Sequence, residues 1–278
     1  MEAETVKKAG NSNLTRISSA LIGFPLVVLI MVIGNKHVIS VGMAIIAILS
    51  MSEYLNAVSK KANPVKWLAY LSCGLISLFG LVPTDLYANV ILVAISIILL
   101  LLFLQVIVTE MKTNFNDLVY TFVGIIYIAF CIGSMAMVRN LENGKILIWY
   151  IFWAGWATDV FAYAIGRRFG KHKFSRVSPK KSIEGCIGGT AAAIIVSLVY
   201  TYFINTYIPV QYSYLYISII TLILSVIGQI GDFAASSIKR YVEIKDYSNL
   251  IPGHGGMLDR IDSVMFIAPF AFMLLKLL

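Results

Sequence analysis

The chain has 278 residues and a formal net charge of +8, with 59% hydrophobic and 13% charged residues. A soluble domain carries roughly a quarter charged residues, so this composition excludes an ordinary globular core. Apolar runs recur along the whole length, which points to an all-α, polytopic integral membrane protein.

A helix needs about 20 apolar residues to cross a bilayer. By that measure about nine transmembrane helices are expected, near 17–33, 37–58, 65–82, 86–109, 117–138, 146–166, 183–204, 212–236 and 261–278. Helix is expected throughout because open strands leave backbone groups unsatisfied in lipid. The first run follows Lys7, Lys8 and Arg16 and lacks a small-x-small cleavage site, so it reads as an uncleaved membrane helix. The breaks GNK, KKANP, PTD, MKTNFN and RNLENGK supply turn and charge residues. Lys and Arg concentrate in alternate loops; Lys36, Arg139, Lys145 and Lys276 are the exceptions. That bias predicts a cytoplasmic N-terminus and an outside C-terminus.

The chain divides by chemistry. Residues 1–145 read as a lipid-facing scaffold of apolar helices, and residues 146–278 as a catalytic region with cytoplasmic loops 167–182 and 239–260. Cys73, Cys131 and Cys186 lie in or beside apolar runs without metal or redox spacing, so they read as small buried hydrophobes. His37, His172 and His254 have no partner at metal-ligand spacing, which argues against zinc.

A carboxylate inside a membrane helix is costly, which marks Glu53, Asp159 and Asp232. Glu53 lies near the cytoplasmic end of the second run, where it could reach the interface or pair with a loop lysine. Asp159 shares a helix face with Tyr163, and Gly155 continues that face. Gly228, Asp232, Ser236 and Arg240 are spaced by four and form one stripe, with Lys239 beside it. The glycine before the aspartate leaves room for a close neighbour.

The loop RRFGKHKFSRVSPKKSIEG, residues 167–185, holds seven basic residues, which set topology or meet anionic headgroups. Ser178 before Pro179 reads as an N-cap followed by a first-turn proline, and Ser182 opens the next helix. A helix N-terminus flanked by Lys180 and Lys181 suits phosphate. Near the C-terminus, GHGGMLDRIDS (253–263) places Asp259 and Asp262 on one face at the start of the last run. Carboxylates there complement the helix dipole, and the preceding glycines offer backbone N–H groups. Aspartate oxygens with phosphate oxygens and water suit Mg²⁺. If Asp232 faces Asp259 across the helix pair, the two hold one or two hard cations.

The pattern S-x-I-K-R-x4-K-D-x-S-x2-I-P-x-H-G-G-M-x-D-R-I-D, from Ser236 to Asp262, resembles the signature of the phosphatidate cytidylyltransferase (CDP-diacylglycerol synthase) family at every defined position. The segments DVFAYAIGRRFG, SPKKSIEG and GQIGDFAASSIKR resemble that family too. The resemblance covers roughly residues 155–265; the first 145 match only as apolar helices. It implies a membrane enzyme in phospholipid biosynthesis that converts CTP and phosphatidate to CDP-diacylglycerol and pyrophosphate with Mg²⁺. It also implies a homodimer in a bacterial cytoplasmic (inner) membrane, with a site open to the cytoplasm and no nucleic-acid partner.

Both substrates are anionic, so such a transfer rests on positioning and charge neutralisation. On this reading Asp232 and Asp259 hold metal with support from Asp262, and Asp159 orients a ligand or water. Lys239, Arg240 and Arg260 neutralise phosphates. Ser178, Lys180, Lys181 and Ser182 bind triphosphate or headgroup, with Ser236 beside them. His254, Gly255 and Gly256 close around phosphate. The rival readings are a polyprenol or phytol kinase, a cytidylyltransferase for archaeal ether lipids, a secondary transporter and a structural membrane scaffold.

Overall fold

The computed structural model describes residues 28–175, 177–179, 181–251, 253 and 255–278. Lys7, Lys8, Arg16, most of the first expected span, Arg176, Lys180 and His254 lie outside the described residues.

After a helical stretch at 28–33, eight helices follow in chain order. Helix α1 is Lys36–Val58, α2 is Lys66–Leu75 with a 3₁₀ extension Ile76–Leu81, and α3 is Tyr87–Val108. Helix α4 runs Phe115–Arg139 and α5 runs Gly144–Phe169; each contains a π-helical segment, at Ile125–Phe130 and Trp153–Ala157 respectively. Helices α6, α7 and α8 are Ile183–Tyr207, Tyr214–Tyr241 and Leu258–Leu275.

Local chemistry sets the starts. Asn35 caps α1 by accepting from Val38 N at 2.9 Å. Asn114 and Asp117 form a reciprocal capping box on α4, and the spare Asp117 oxygen accepts from Asn63 N at 2.6 Å. Asn143, in the left-handed region, turns the chain from α4 into α5.

Six helices among the described residues, α1 and α3 to α7, are long and apolar enough to cross a bilayer, so the chain is a polytopic membrane protein. Three of the nine expected spans fall outside that set for different reasons. The first lies mostly beyond the described residues. The third is the shorter apolar helix Lys66–Leu81. The last, α8, carries Asp259, Arg260 and Asp262 in its first turns.

Helix α5 packs on α6, α7 and α8, α7 packs on α6 and α8, and α8 also packs along α4. Glycine permits the closest approaches. A Cβ on Gly189 of α6 would lie 2.6 Å from the Thr158 carbonyl oxygen of α5. A Cβ on Gly231 of α7 would lie 2.8 Å from the Asp262 carbonyl oxygen of α8. Helix α3 is the opposite case: only Tyr87 and Leu102 are buried, while Ile98, Leu101 and Val106 pack partly exposed against the core. The three cysteines are free and buried, in keeping with the hydrophobe reading.

Helix α8 has no side-chain cap of its own at Met257. Glu53, reaching from α1, supplies one. Its Oε1 accepts from Met257 N at 2.8 Å and from Ser248 Oγ at 2.6 Å, and its Oε2 accepts from Leu258 N at 2.8 Å. A negative charge at a helix N-terminus also complements the dipole. Instead of the interface or a loop lysine, the two expected alternatives, Glu53 meets two backbone amides and a serine, because the loop before α8 folds against the end of α1. Glu53→Ala orphans both amides and is expected to cost on the order of 3 kcal/mol. Thermal melts in detergent measure this, with Glu53→Gln falling between Glu53→Ala and the parent.

Candidate functional site

Four segments meet at one polar cluster. Asp159 comes from α5, directly after its π-helical segment; Lys181 from the loop before α6; Asp232 from α7; and Asp262 with Ser263 from α8. Lys181 Nζ lies 2.6 Å from Asp232 Oδ2 and 4.0 Å from Asp159 Oδ1. Ser263 Oγ donates to Asp159 Oδ2 at 2.8 Å, and Ser263 N donates to Asp262 Oδ1 at 2.8 Å. Asp262 is buried and lies within electrostatic reach of Asp232, Lys239 and Asp159. Burial works against the Lys181 ammonium, but Asp232, Asp159 and Asp262 together outweigh it and hold the lysine above its usual range. The ammonium also sits 5.0 Å from the Phe233 ring centroid.

A hydroxyl-rich floor underlies this cluster. Ser225 Oγ of α7 lies 2.7 Å from Thr158 Oγ1 of α5 and 2.9 Å from Thr190 Oγ1 of α6. Gln229 Nε2 donates to Thr190 Oγ1 at 2.9 Å. The network pins α5, α6 and α7 together beside Asp159 and within two turns of Asp232. Sequence reasoning missed it, although Thr158 directly precedes Asp159 and Gln229 stands three residues before Asp232. Uncharged polar residues at that spacing were the available signal.

A second cluster surrounds Asp259. Its Oδ1 pairs with Lys239 Nζ at 2.6 Å; its Oδ2 accepts from Tyr247 N at 2.9 Å and Gly256 N at 3.1 Å. Both partners of the pair are largely withdrawn from solvent, with side chains 12% and 2% exposed. Lys239 also lies over the Tyr247 ring, 5.5 Å from its centroid. Asp259 thus organises the loop between α7 and α8. Its partners are Lys239 and the Tyr247 and Gly256 amides, and the α8 carboxylate within electrostatic reach of Asp232 is Asp262, one turn further along.

The remaining expected residues divide. Ser182 caps α6 by accepting from Gly185 N at 3.2 Å. Ser178 and Pro179 do not start a helix, contrary to expectation. Lys181 N instead donates to the Ser178 carbonyl in a turn, and the loop folds back with Phe174 N donating to the Lys181 carbonyl. Ser236 is half-buried one turn beyond Asp232. Arg240 and Arg260 are exposed, and Arg240 Nη1 donates to the Ile244 carbonyl at 3.4 Å. Gly255 has φ +85° and pairs with Ile251, while the Gly256 amide is committed to Asp259. Those two glycines therefore shape the loop around Asp259 and Glu53.

Among the described residues, no three Asp, Glu, His or Cys side chains converge as a ready-made metal cage. The donors present are nevertheless the right kind for a hard cation. Asp232 Oδ2 is buried and receives no aligned hydrogen bond among the described residues; the Lys181 charge is its near partner. Mg²⁺ is commonly held by one or two carboxylates with the rest of its shell from water and substrate phosphates. Asp232 and Asp262 fit that pattern, with Asp159 behind Lys181.

Residues 14–278 match the model of the cytidylyltransferase family. The chain is 38% identical to the phosphatidate cytidylyltransferase of Bacillus subtilis over 187 residues, covering 66% of this chain and 68% of that protein. It is 32% identical over 232 residues to the phosphatidate cytidylyltransferase of Staphylococcus haemolyticus. It is 35% identical over 242 residues to that of Staphylococcus saprophyticus. Each Staphylococcus match covers 83% of this chain and 87% of the relative. With this match across nearly the whole length, the chain belongs to the cytidylyltransferase family.

Proposed function

We propose that the chain is a phosphatidate cytidylyltransferase, working at the cytoplasmic face of a bacterial inner membrane. The observation that carries this reading is the meeting of Lys181, Asp232, Asp159 and Asp262 from four segments at the polar ends of apolar helices. A lipid headgroup and a water-soluble nucleotide can both reach such a place. The family and the names of the relatives support the substrate assignment.

In the reaction a phosphate oxygen of phosphatidate attacks the α-phosphorus of CTP. The new P–O bond forms as the bond to the β-phosphate bridging oxygen breaks, and pyrophosphate leaves. The nucleophile is already ionised near neutral pH, because the second phosphate pKa is about 6, so no strong general base is required. Lys181 offsets phosphate charge from the loop side. Asp159, fixed by Ser263, holds Lys181 in place together with Asp232. Arg240 and Arg260, exposed at the same end, draw the triphosphate in. Asp232 and Asp262 would hold a divalent cation, Mg²⁺ on the donor chemistry, which supplies charge neutralisation across the two phosphate groups when bound. Lys239 and Asp259 keep the loop before α8 closed over this end.

On this reading the chain has nine spans, with its N-terminus in the cytoplasm and its C-terminus outside. Residues 1–145 serve as scaffold and carry dimer contacts, and residues 146–278 carry the chemistry. The bias of Lys and Arg towards alternate loops supports the orientation.

Purified protein given α-labelled CTP and phosphatidate should yield labelled CDP-lipid and require a divalent cation. Transfer of label from γ-labelled CTP to a polyprenol would identify a kinase instead. Substitutions separate the two carboxylate roles. Asp262→Asn is expected to lower kcat by roughly a hundredfold or more with little change in thermal stability, and Asp232→Asn to lower kcat as far while also losing stability, because Lys181 is left without its 2.6 Å partner. Asp259→Asn is expected to lose turnover together with about 3 kcal/mol of stability, because it leaves Lys239 buried and unpaired. Melting curves alongside kcat distinguish these outcomes.

A further inference from the structure

Helix α4 belongs to the part of the chain read as scaffold, yet its π-helical segment Ile125–Phe130 carries a buried polar side chain, Tyr127. Tyr127 is 7% exposed, and its hydroxyl has no hydrogen-bond partner among the described residues. Buried hydroxyls are normally paired, and an exception calls for an explanation such as a ligand. π-Helical turns inside α-helices are frequent at functional sites.

The direction of this side chain follows from the helix. The N-terminal part of α4 lies beside the C-terminal end of α7, where Tyr120 and Tyr241 share a 2.7 Å hydrogen bond. Long helical side chains lean toward their own N-terminus, so Tyr127 leans toward that end of the bundle. Its ring packs on Phe266, with centroids 6.1 Å apart. Phe266 stands one turn beyond Asp262 and fills the space beside Gly231, the residue before Asp232. Tyr247, Asp262, Cys131 and Asp232 lie within electrostatic reach of the phenol. The unpartnered hydroxyl thus shares its locality with Asp232, whose Oδ2 is met by the Lys181 ammonium alone.

We propose that Tyr127 is a further binding residue of the site, its hydroxyl donating a hydrogen bond to a substrate phosphate oxygen held at Asp232 and Asp262. This rests on the reading of that cluster as the reaction centre. The phosphate belongs either to CTP or to phosphatidate, and both present the same acceptor chemistry.

Tyr127→Phe removes only the oxygen. With CTP and phosphatidate varied separately, kcat/KM should fall about tenfold or more, the effect of losing a hydrogen bond to a charged acceptor. A larger KM for one substrate identifies the source of the phosphate. The melting temperature should stay level or rise, because a hydroxyl without a protein partner is removed. Unchanged kinetics with both substrates would overturn the proposal, as would a loss of activity that tracks a lowered melting temperature. Asp232→Asn and Asp262→Asn serve as the reference. If those variants remain active, the reading of the centre itself fails; if they are inactive while Tyr127→Phe is not, only the role of Tyr127 fails.

Discussion

The ion pair between Lys181 and Asp232 joins the loop before α6 to the interior of a membrane helix. Isolated, either charge would be expensive at that depth. Together at 2.6 Å they are tolerated, and they bring the start of α6 against α7. Asp159 and Ser263 then attach α5 and α8 to the same point. The hydroxyl floor of Thr158, Ser225, Thr190 and Gln229 extends the join with neutral groups, which carry a smaller desolvation cost. The arrangement of the polar half follows from matching these buried polar groups with one another.

The other buried carboxylates obey the same rule with different partners. Glu53 takes backbone amides of α8, Asp259 takes Lys239 and two amides, and Asp117 takes the amides of Asn63 and Asn114. Three of these carboxylates secure loops or helix starts, so an acidic residue near a membrane helix end is weak evidence for catalysis by itself. What sets Asp232 apart is a buried oxygen met by a charge and by no aligned hydrogen bond.

Much of this was legible in the sequence. Hydropathy located the helices, because length and apolar content are set by the bilayer. The stripe from Gly228 to Arg240 correctly marked α7 as polar on one face, and Gly228 does admit Ile267 of α8 closely. The partner of Glu53 was not legible, because it is a backbone amide about two hundred residues away and side-chain patterns do not report backbone donors. The division of roles between Asp259 and Asp262 was not legible for a related reason. Both sit on one face of α8, and the choice between them depends on the path of the loop before it. Ser178–Pro179 carried a true helix-start signature, but the bonds from Phe174 and Ile183 back across the loop favoured a turn, and the helix starts after Ser182 instead.

The π-helical segment of α5 separates two environments along one rod. Before it, Tyr150 joins Thr201 and stacks edge-on with Tyr200 in an aromatic layer. After it, Thr158 and Asp159 face the hydroxyl floor and Lys181. A uniform α-helix advances by 3.6 residues per turn and would lock the angular setting of one half to that of the other. The wider turn at Trp153–Ala157 releases that constraint, so the aromatic anchor and the acidic end are each oriented by their own neighbours. One span thereby behaves as two independently aimed tools on a single handle.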